Sequence, residues 1–121
     1  MILPFPISVN TAFATDWKTK RRFRSGAYRE WCKAAKESLK TQQVPEWCNG
    51  AVRLDLELVK PRNNDGSFTK RRMDLSNFVK VVEDFLVDMK IIEDDSLIYH
   101  LSVRWIDEDF KGCRVTITEL N

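Results

Sequence analysis

The amino-acid sequence predicts a small α+β domain, a mixed β-sheet of about four strands with two main helices on one face. Three observations carry that expectation. Val52, Leu54, Leu56 and Leu58 alternate with Arg53, Asp55 and Glu57, the period of a strand with one face against a core. Tyr28 to Leu39 and Leu75 to Met89 instead repeat apolar residues at threes and fours, the period of an amphipathic helix. The order along the chain is strand, basic loop, helix, strand, basic loop, helix, strand, strand, which suits helices packed on one side of a sheet.

The 121 residues suit a single domain spanning 1–121. Hydrophobic content of 43% beside 31% charged residues is that of a folded, soluble chain, not a disordered one. The net charge of +2 excludes a strongly basic coat, but the charges are segregated. Positive charge gathers from Lys18 to Arg29 and from Lys60 to Arg72, negative charge from Glu83 to Asp95 and at Asp107, Glu108 and Asp109. Such separation suits a polyanion on one face and a cation in an acidic pocket, although any one cluster alone is more often a solvated surface. Cys32, Cys48 and Cys113 form no C-x-x-C pair, and with the single His100 they assemble no zinc site of ordinary spacing. Unpaired thiols of this kind suit a reducing, cytoplasmic setting. The opening Met-Ile-Leu-Pro-Phe-Pro lacks the basic n-region and long apolar core of a signal peptide. No stretch approaches the ~20 apolar residues of a membrane span, so no membrane partner is expected. A glycine-rich phosphate loop, a dinucleotide fingerprint and a Ser/His/Asp arrangement are all missing, and no small-molecule cofactor is expected.

Taken in order, Ile2 to Phe5 reads as a short edge strand limited by Pro4 and Pro6, with turn chemistry at Ser8-Val9-Asn10-Thr11. Asp16 to Gly26, DWKTKRRFRSG, has no period and reads as a loop. It carries five cations in seven positions, Lys18, Lys20, Arg21, Arg22 and Arg24, interleaved with Trp17 and Phe23. Cations neutralise phosphates and aromatic rings stack on bases or sugars. The competing reading is a solvated loop whose two aromatics fold back onto the core. Ser25 is a candidate N-cap, and Tyr28, Trp31, Cys32, Ala35 and Leu39 form the buried stripe of a helix that Pro45 stops. After the strand over 52–58, Pro61 to Thr69 is a loop by its turn residues alone. Flanked by Lys60, Arg62, Lys70, Arg71 and Arg72, it reads as a second basic arm, mobile until a polyanion orders it.

The helix over Leu75 to Met89 places Leu75, Phe78, Val79, Val82, Phe85, Leu86 and Met89 on one face, with Val81 off that stripe. Excess apolar surface of this kind predicts packing on two sides, the sheet and a second subunit. Leu97 to Ile106 and Cys113 to Leu120 then read as two strands joined as a hairpin through Asp107 to Gly112, with His100 structural.

Charged residues frame the Leu75–Met89 helix in a way that core packing does not require. Asp74 precedes it, and as a helix N-cap would contribute ~1 kcal/mol through its side chain. Lys80 lies four residues after Ser76 and so shares a helix face with it, Glu83 follows one turn on, and Asp94 and Asp95 stand just past the far end. Hard divalent cations take carboxylate oxygens and keep several waters. Such a cation activates water for attack on phosphorus, while a lysine offsets phosphate charge or protonates a leaving oxygen. A helix of ~15 residues rises ~22 Å, and the six-residue step from Met89 to Asp95 spans at most ~20 Å. The chain therefore returns to Asp74 only by running straight back, or two copies of the helix pair antiparallel across a twofold axis.

The stretch RRMDLSNFVKVVEDFL…IIEDDSLI resembles the core motif of the RusA-type Holliday junction resolvases, whose pattern runs D-L-D-N-x-x-K, a helix, then D-D. The opening LPFPISVN resembles that family's proline-rich start ending in Asn. The resemblance implies a homodimeric, Mg²⁺-dependent endodeoxyribonuclease (Mn²⁺ being a possible substitute) that nicks four-way DNA junctions symmetrically in recombination and repair. By it Asp74 and Asp95 would be metal-binding carboxylates and Lys80 the essential lysine; the expected site is catalytic Asp74, Lys80 and Asp95, with metal at Asp74, Asp95 and Asp94. Lys18, Lys20, Arg21, Arg22, Arg24, Lys70, Arg71 and Arg72 would hold DNA, with Ser76 and Asn77 in support. It also implies a bacterial or phage-infected host cell, often a prophage gene. One position departs: Ser76 stands where the family pattern has its second aspartate. Asp94, Glu83 or Asp84 would then supply the missing oxygen, or a water held by Ser76 would complete the shell, or the chain binds junctions and cuts poorly or not at all. An active nuclease with weakened metal binding is the expectation. Its rivals are a non-catalytic dimeric junction-binding module and a nuclease for other branched DNA or for RNA.

Overall fold

The computed structural model describes residues 1–120, so Asn121, the last residue of the expected domain, lies outside the description. The alternation seen from Val52 onward forms strand β4, Val52–Val59, with Val52, Leu54, Leu56 and Leu58 at 0–1% exposure. That burial puts β4 at the middle of the sheet. Its neighbours are β5, Ile98–Ile106, parallel to it, and β6, Cys113–Glu119, antiparallel to it, while β1, Ile2–Leu3, pairs antiparallel with β6. The four strands thus run β1-β6-β4-β5, a mixed sheet as expected.

The hairpin expected between residues 97–106 and 113–120 does not form. β4 lies between those two strands, and the link over 107–112 crosses from one edge of it to the other. Parallel pairing of β4 with β5 needs a long crossover, which the segment from residue 60 to 97 supplies. β5, with Tyr99 and Leu101 exposed, takes the edge, and the fully buried β4 takes the centre. At the end of the link, Gly112 has φ +126°, and a Cβ there would stand 2.2 Å from the Leu3 carbonyl oxygen. Only glycine fits that passage.

The turn expected at Ser8 to Thr11 is a one-turn helix, α1, Val9–Ala12. The expected loop from Asp16 holds over Asp16 to Arg21, but it is the tip of a two-stranded arm, β2, Phe13–Thr15, against β3, Arg22–Arg24. Helix α2, Gly26–Leu39, starts as expected, with the Tyr28 N–H donating to Ser25 Oγ at 3.1 Å. It buries Tyr28, Trp31, Ala35 and Leu39. The Trp31 indole N–H donates to the Phe5 carbonyl at 3.0 Å, and its ring meets Phe85 edge-on at 5.4 Å. Pro61 to Thr69 folds on itself through an Arg62–Phe68 bridge and an Asn63 N–H to Ser67 carbonyl bond of 2.7 Å.

The expected long helix divides. Leu75–Phe78 is a 3₁₀ turn, and α3 proper runs Val79–Asp88. Ser76 and Asn77 are weak helix formers that compete for backbone bonds, and helix starts often tighten in this way. Val81, off the expected stripe, is fully buried within this chain, so the apolar surplus of α3 is covered without a second subunit. The far end of α3 closes in a Schellman turn: Ile91 N–H donates to Leu86 O at 2.9 Å and Lys90 N–H to Val87 O at 3.0 Å. Lys90 occupies the left-handed position, φ 58°, that glycine normally fills. All three cysteines are free, as expected.

Candidate active site

The turn at Lys90 decides how the chain comes back from α3. Ile92 bridges in parallel to Cys48, and Glu93 N–H donates to the Cys48 carbonyl at 3.1 Å. A 3₁₀ turn at Asp95–Leu97 follows and leads into β5. This path puts Asp95 Oδ2 3.0 Å from Lys80 Nζ within one chain. The chain thus returns to Lys80 in cis.

Lys80 has a second carboxylate partner. Asp84, one helical turn along α3, places Oδ1 2.8 Å from the same ammonium. Asp84 and Asp95 together push the lysine well above its ordinary range, hydrogen bonding from Asp84 contributing most. The half-buried Glu83, expected on the same polar edge, makes no ion pair with Lys80. Burial pushes its carboxyl up, opposed by Lys80 and reinforced by Asp95 and Asp84. Asp94 is turned aside: its carboxylate accepts from the Ser96 hydroxyl, which holds it below the usual carboxylate range.

Asp74 stands at the N-cap of the 3₁₀ turn with extended backbone, φ −86° and ψ 119°, but its side chain makes no cap bond. Its carbonyl accepts the turn's own first bond, from Asn77 N–H at 3.0 Å, and the expected side-chain cap is not made. Its carboxylate is exposed on a groove of about 600 Å³ that also takes in Arg71, Arg72, Asn77 and, from the chain's opening, Ser8 and Asn10. The proline-rich opening and the Asp74 motif, far apart in the sequence, thus meet in space. Ser76 is exposed and forms no side-chain hydrogen bond among the described residues. Asp74, Asp94 and Asp95 are not gathered as a set: among the described residues no three histidine, cysteine or carboxylate side chains come together as metal ligands would.

The cations divide into engaged and free. Arg24 pairs with Asp88 at 2.6 Å and lies over the Tyr28 ring, tying the root of the β2–β3 arm to α3. Arg22 lies 4.2 Å from the Phe13 ring centroid, and Arg62 pairs with Asp107 at 3.0 Å. On the open face of the sheet, Arg104 and Arg114 reach Glu57, and Arg114 also holds Glu108. Lys18, Lys20, Arg21, Lys70, Arg71 and Arg72 are exposed and make no ion pair among the described residues. They stand at the arm tip and beside Asp74.

A family model described as endodeoxyribonuclease RusA matches residues 4–118, nearly the whole chain. The chain belongs to that family. No individual curated protein matches it. RusA membership implies endodeoxyribonuclease activity at Holliday junctions and brings the opening, both basic segments and the Lys80–Asp95 contact into one matched unit. No helix among the described residues is long and apolar enough to cross a membrane. Asp84, which pairs with Lys80, is the residue of this cluster that sequence reading placed least well, as one of three alternative oxygen donors. The signal available was its i,i+4 spacing from Lys80.

Proposed function

We propose that this RusA chain is a divalent-metal-dependent endonuclease that nicks four-way DNA junctions, with Lys80, Asp95 and Asp74 as its catalytic residues. The observation that carries the proposal is the 3.0 Å contact between Lys80 and Asp95, fifteen residues apart, in the same chain as the free carboxylate of Asp74. A helix built only to fill a core has no need to bring a lysine, two aspartates and unpaired arginines to its rim.

The donor set fits a hard cation such as Mg²⁺ bound loosely. Such ions use one or two carboxylates and complete their shell with waters and phosphate oxygens, so the lack of a three-ligand cluster is compatible with this chemistry. Asp74 and Asp95 would hold the ion, which when bound would activate water and neutralise charge developing on phosphorus. Arg71 and Arg72, on the groove with Asp74, bind the DNA backbone and seat the scissile phosphate. Lys80, held by Asp84 and Asp95, would serve as a fixed ammonium for a phosphate oxygen. Asp84 would still hold Lys80 if Asp95 turned to a metal ion. Two equivalent cuts across a junction call for two such sites, which a homodimer supplies.

The test is nicking of a labelled four-way junction, a linear duplex and a single strand, with and without Mg²⁺. Junction-specific, Mg²⁺-dependent nicks that fall roughly 100-fold or more in Lys80→Ala and Asp95→Asn are expected. Metal-independent binding with no nick in any condition would instead favour the junction-binding module, for which the missing aspartate at Ser76 is the specific support.

A further inference from the structure

We propose that Trp17 is a base-stacking residue, its indole presented by the tip of the β2–β3 arm to an unpaired base of branched DNA. The inference rests on the nuclease reading for its substrate class and on the arm itself for everything else.

Trp17 is 82% exposed, the most exposed of the large apolar residues described. Leaving an indole in water forgoes a large apolar burial. The root of the same arm shows that its sequence can bury rings, since Phe13 meets Tyr28 edge-on at 5.5 Å. The tip is not slack, either. The Asp16 carboxylate accepts from the N–H groups of Lys18 at 2.8 Å and Thr19 at 3.3 Å. Lys20 N–H donates to the Asp16 carbonyl at 2.7 Å, and Asp16 N–H donates to Arg21 O at 2.8 Å. Lys20 adopts φ 59° to close this turn, a conformation that lysine rarely takes. The indole is therefore displayed from a fixed frame, which lowers the ordering cost of binding.

The charges around it select the occupant. Lys18, Lys20 and Arg21 make no ion pair among the described residues, and the Lys20 ammonium lies 5.8 Å from the Trp17 ring centroid. Free cations beside a flat exposed ring fit a polyanion that carries flat rings of its own, a nucleic acid. Bases inside an intact duplex are already stacked on both sides. A base freed at a branch point is not, so the ring adds affinity there and not along a linear arm.

The experiment uses the whole chain in EDTA, so that only binding is read. Stacking on one base is worth ~1–3 kcal/mol. Trp17→Ala is expected to lose about tenfold in affinity for a four-way junction and less than twofold for a linear duplex of the same sequence, with Trp17→Phe restoring most of the loss. The Trp17 emission, taken as the difference between the natural chain and Trp17→Phe, is expected to be quenched by the junction. Equal losses on junction and duplex, or no loss on either, overturn the proposal. So does a Trp17 emission shift with phosphatidylserine vesicles and none with junction, which would assign the tip to an anionic membrane surface. Circular dichroism of Trp17→Ala identical to the natural chain shows that the fold is kept. Should the alanine variant lose its fold, the emission difference between the natural chain and Trp17→Phe decides alone. A chain that nicks nothing in Mg²⁺ yet shows the junction-selective loss refutes the nuclease reading alone. One that nicks junctions without that loss refutes the role of Trp17 alone.

Discussion

Tyr28 is fully buried, and its hydroxyl is the one described buried side-chain oxygen or nitrogen without a hydrogen-bond partner. A buried donor left unsatisfied costs ~1–3 kcal/mol, so Tyr28→Phe is expected to stabilise the fold by about 1 kcal/mol in urea unfolding at pH 7. The same burial pushes the phenol up to about 12. Between pH 10 and 12 the unfolded chain releases this proton and the folded chain does not, so native stability falls as pH rises through that window. Tyr28→Phe should lose that part of the alkaline decline, and an unchanged alkaline slope would contradict the assignment. Ser76 carries a different prediction. Its hydroxyl brings no charge to a site whose free carboxylate is Asp74. Since a hard cation gains from each added carboxylate oxygen, Ser76→Asp is expected to lower the Mg²⁺ concentration giving half-maximal nicking by roughly tenfold. An unchanged Mg²⁺ titration would remove the idea of a missing ligand.

At the scale of elements, Lys90, like Lys20, is at odds with its backbone. It sits at the C′ position of the α3 Schellman turn with φ 58°, where a side chain costs roughly 1 kcal/mol relative to glycine. Lys90→Gly should raise stability by up to about 1 kcal/mol and leave nicking unchanged, measured by thermal melts alongside the junction assay. The same turn explains what the sequence hid. Residues 75–89 read as one helix because their apolar spacing is continuous, yet Ser76 and Asn77 tighten the first turn and Lys90 bends the chain at the end without the expected glycine. Helix stripes and the β4 alternation were legible because burial imposes a period on residue types. The arm was not, because Phe13 to Arg24 is too short and too charged to show one. The hairpin expectation failed for a related reason: periodicity identifies two strands but does not say which third strand lies between them. The site was half legible. Lys80 and Asp95 could be named as candidates from spacing and resemblance, whereas the clasp by Asp84 needed a geometry that pairs Lys80 with Asp84 and not with Glu83.

For the molecule as a whole, Lys80 and Asp95 of one chain meet in cis, and the prediction is that a working site draws both from the same chain. Chains carrying Lys80→Ala mixed with chains carrying Asp95→Asn should therefore regain no nicking, since no pairing of them contains an intact site. Regained activity in the mixture would show instead that the working site is shared across a dimer. Sedimentation of the natural chain is expected to show that dimer. The strand order has a consequence in time. β6 fills the gap between β1 and β4, so residues 2–3 meet their only sheet partner, and 52–58 their second, at 113–119. Such distant pairing folds slowly. On a ribosome the helices and the cationic arm emerge first, and α3 has no finished sheet to rest on until the last strand is made. A nascent chain can thus present its cationic arm to DNA before β6 closes the sheet beneath the Lys80–Asp95 contact.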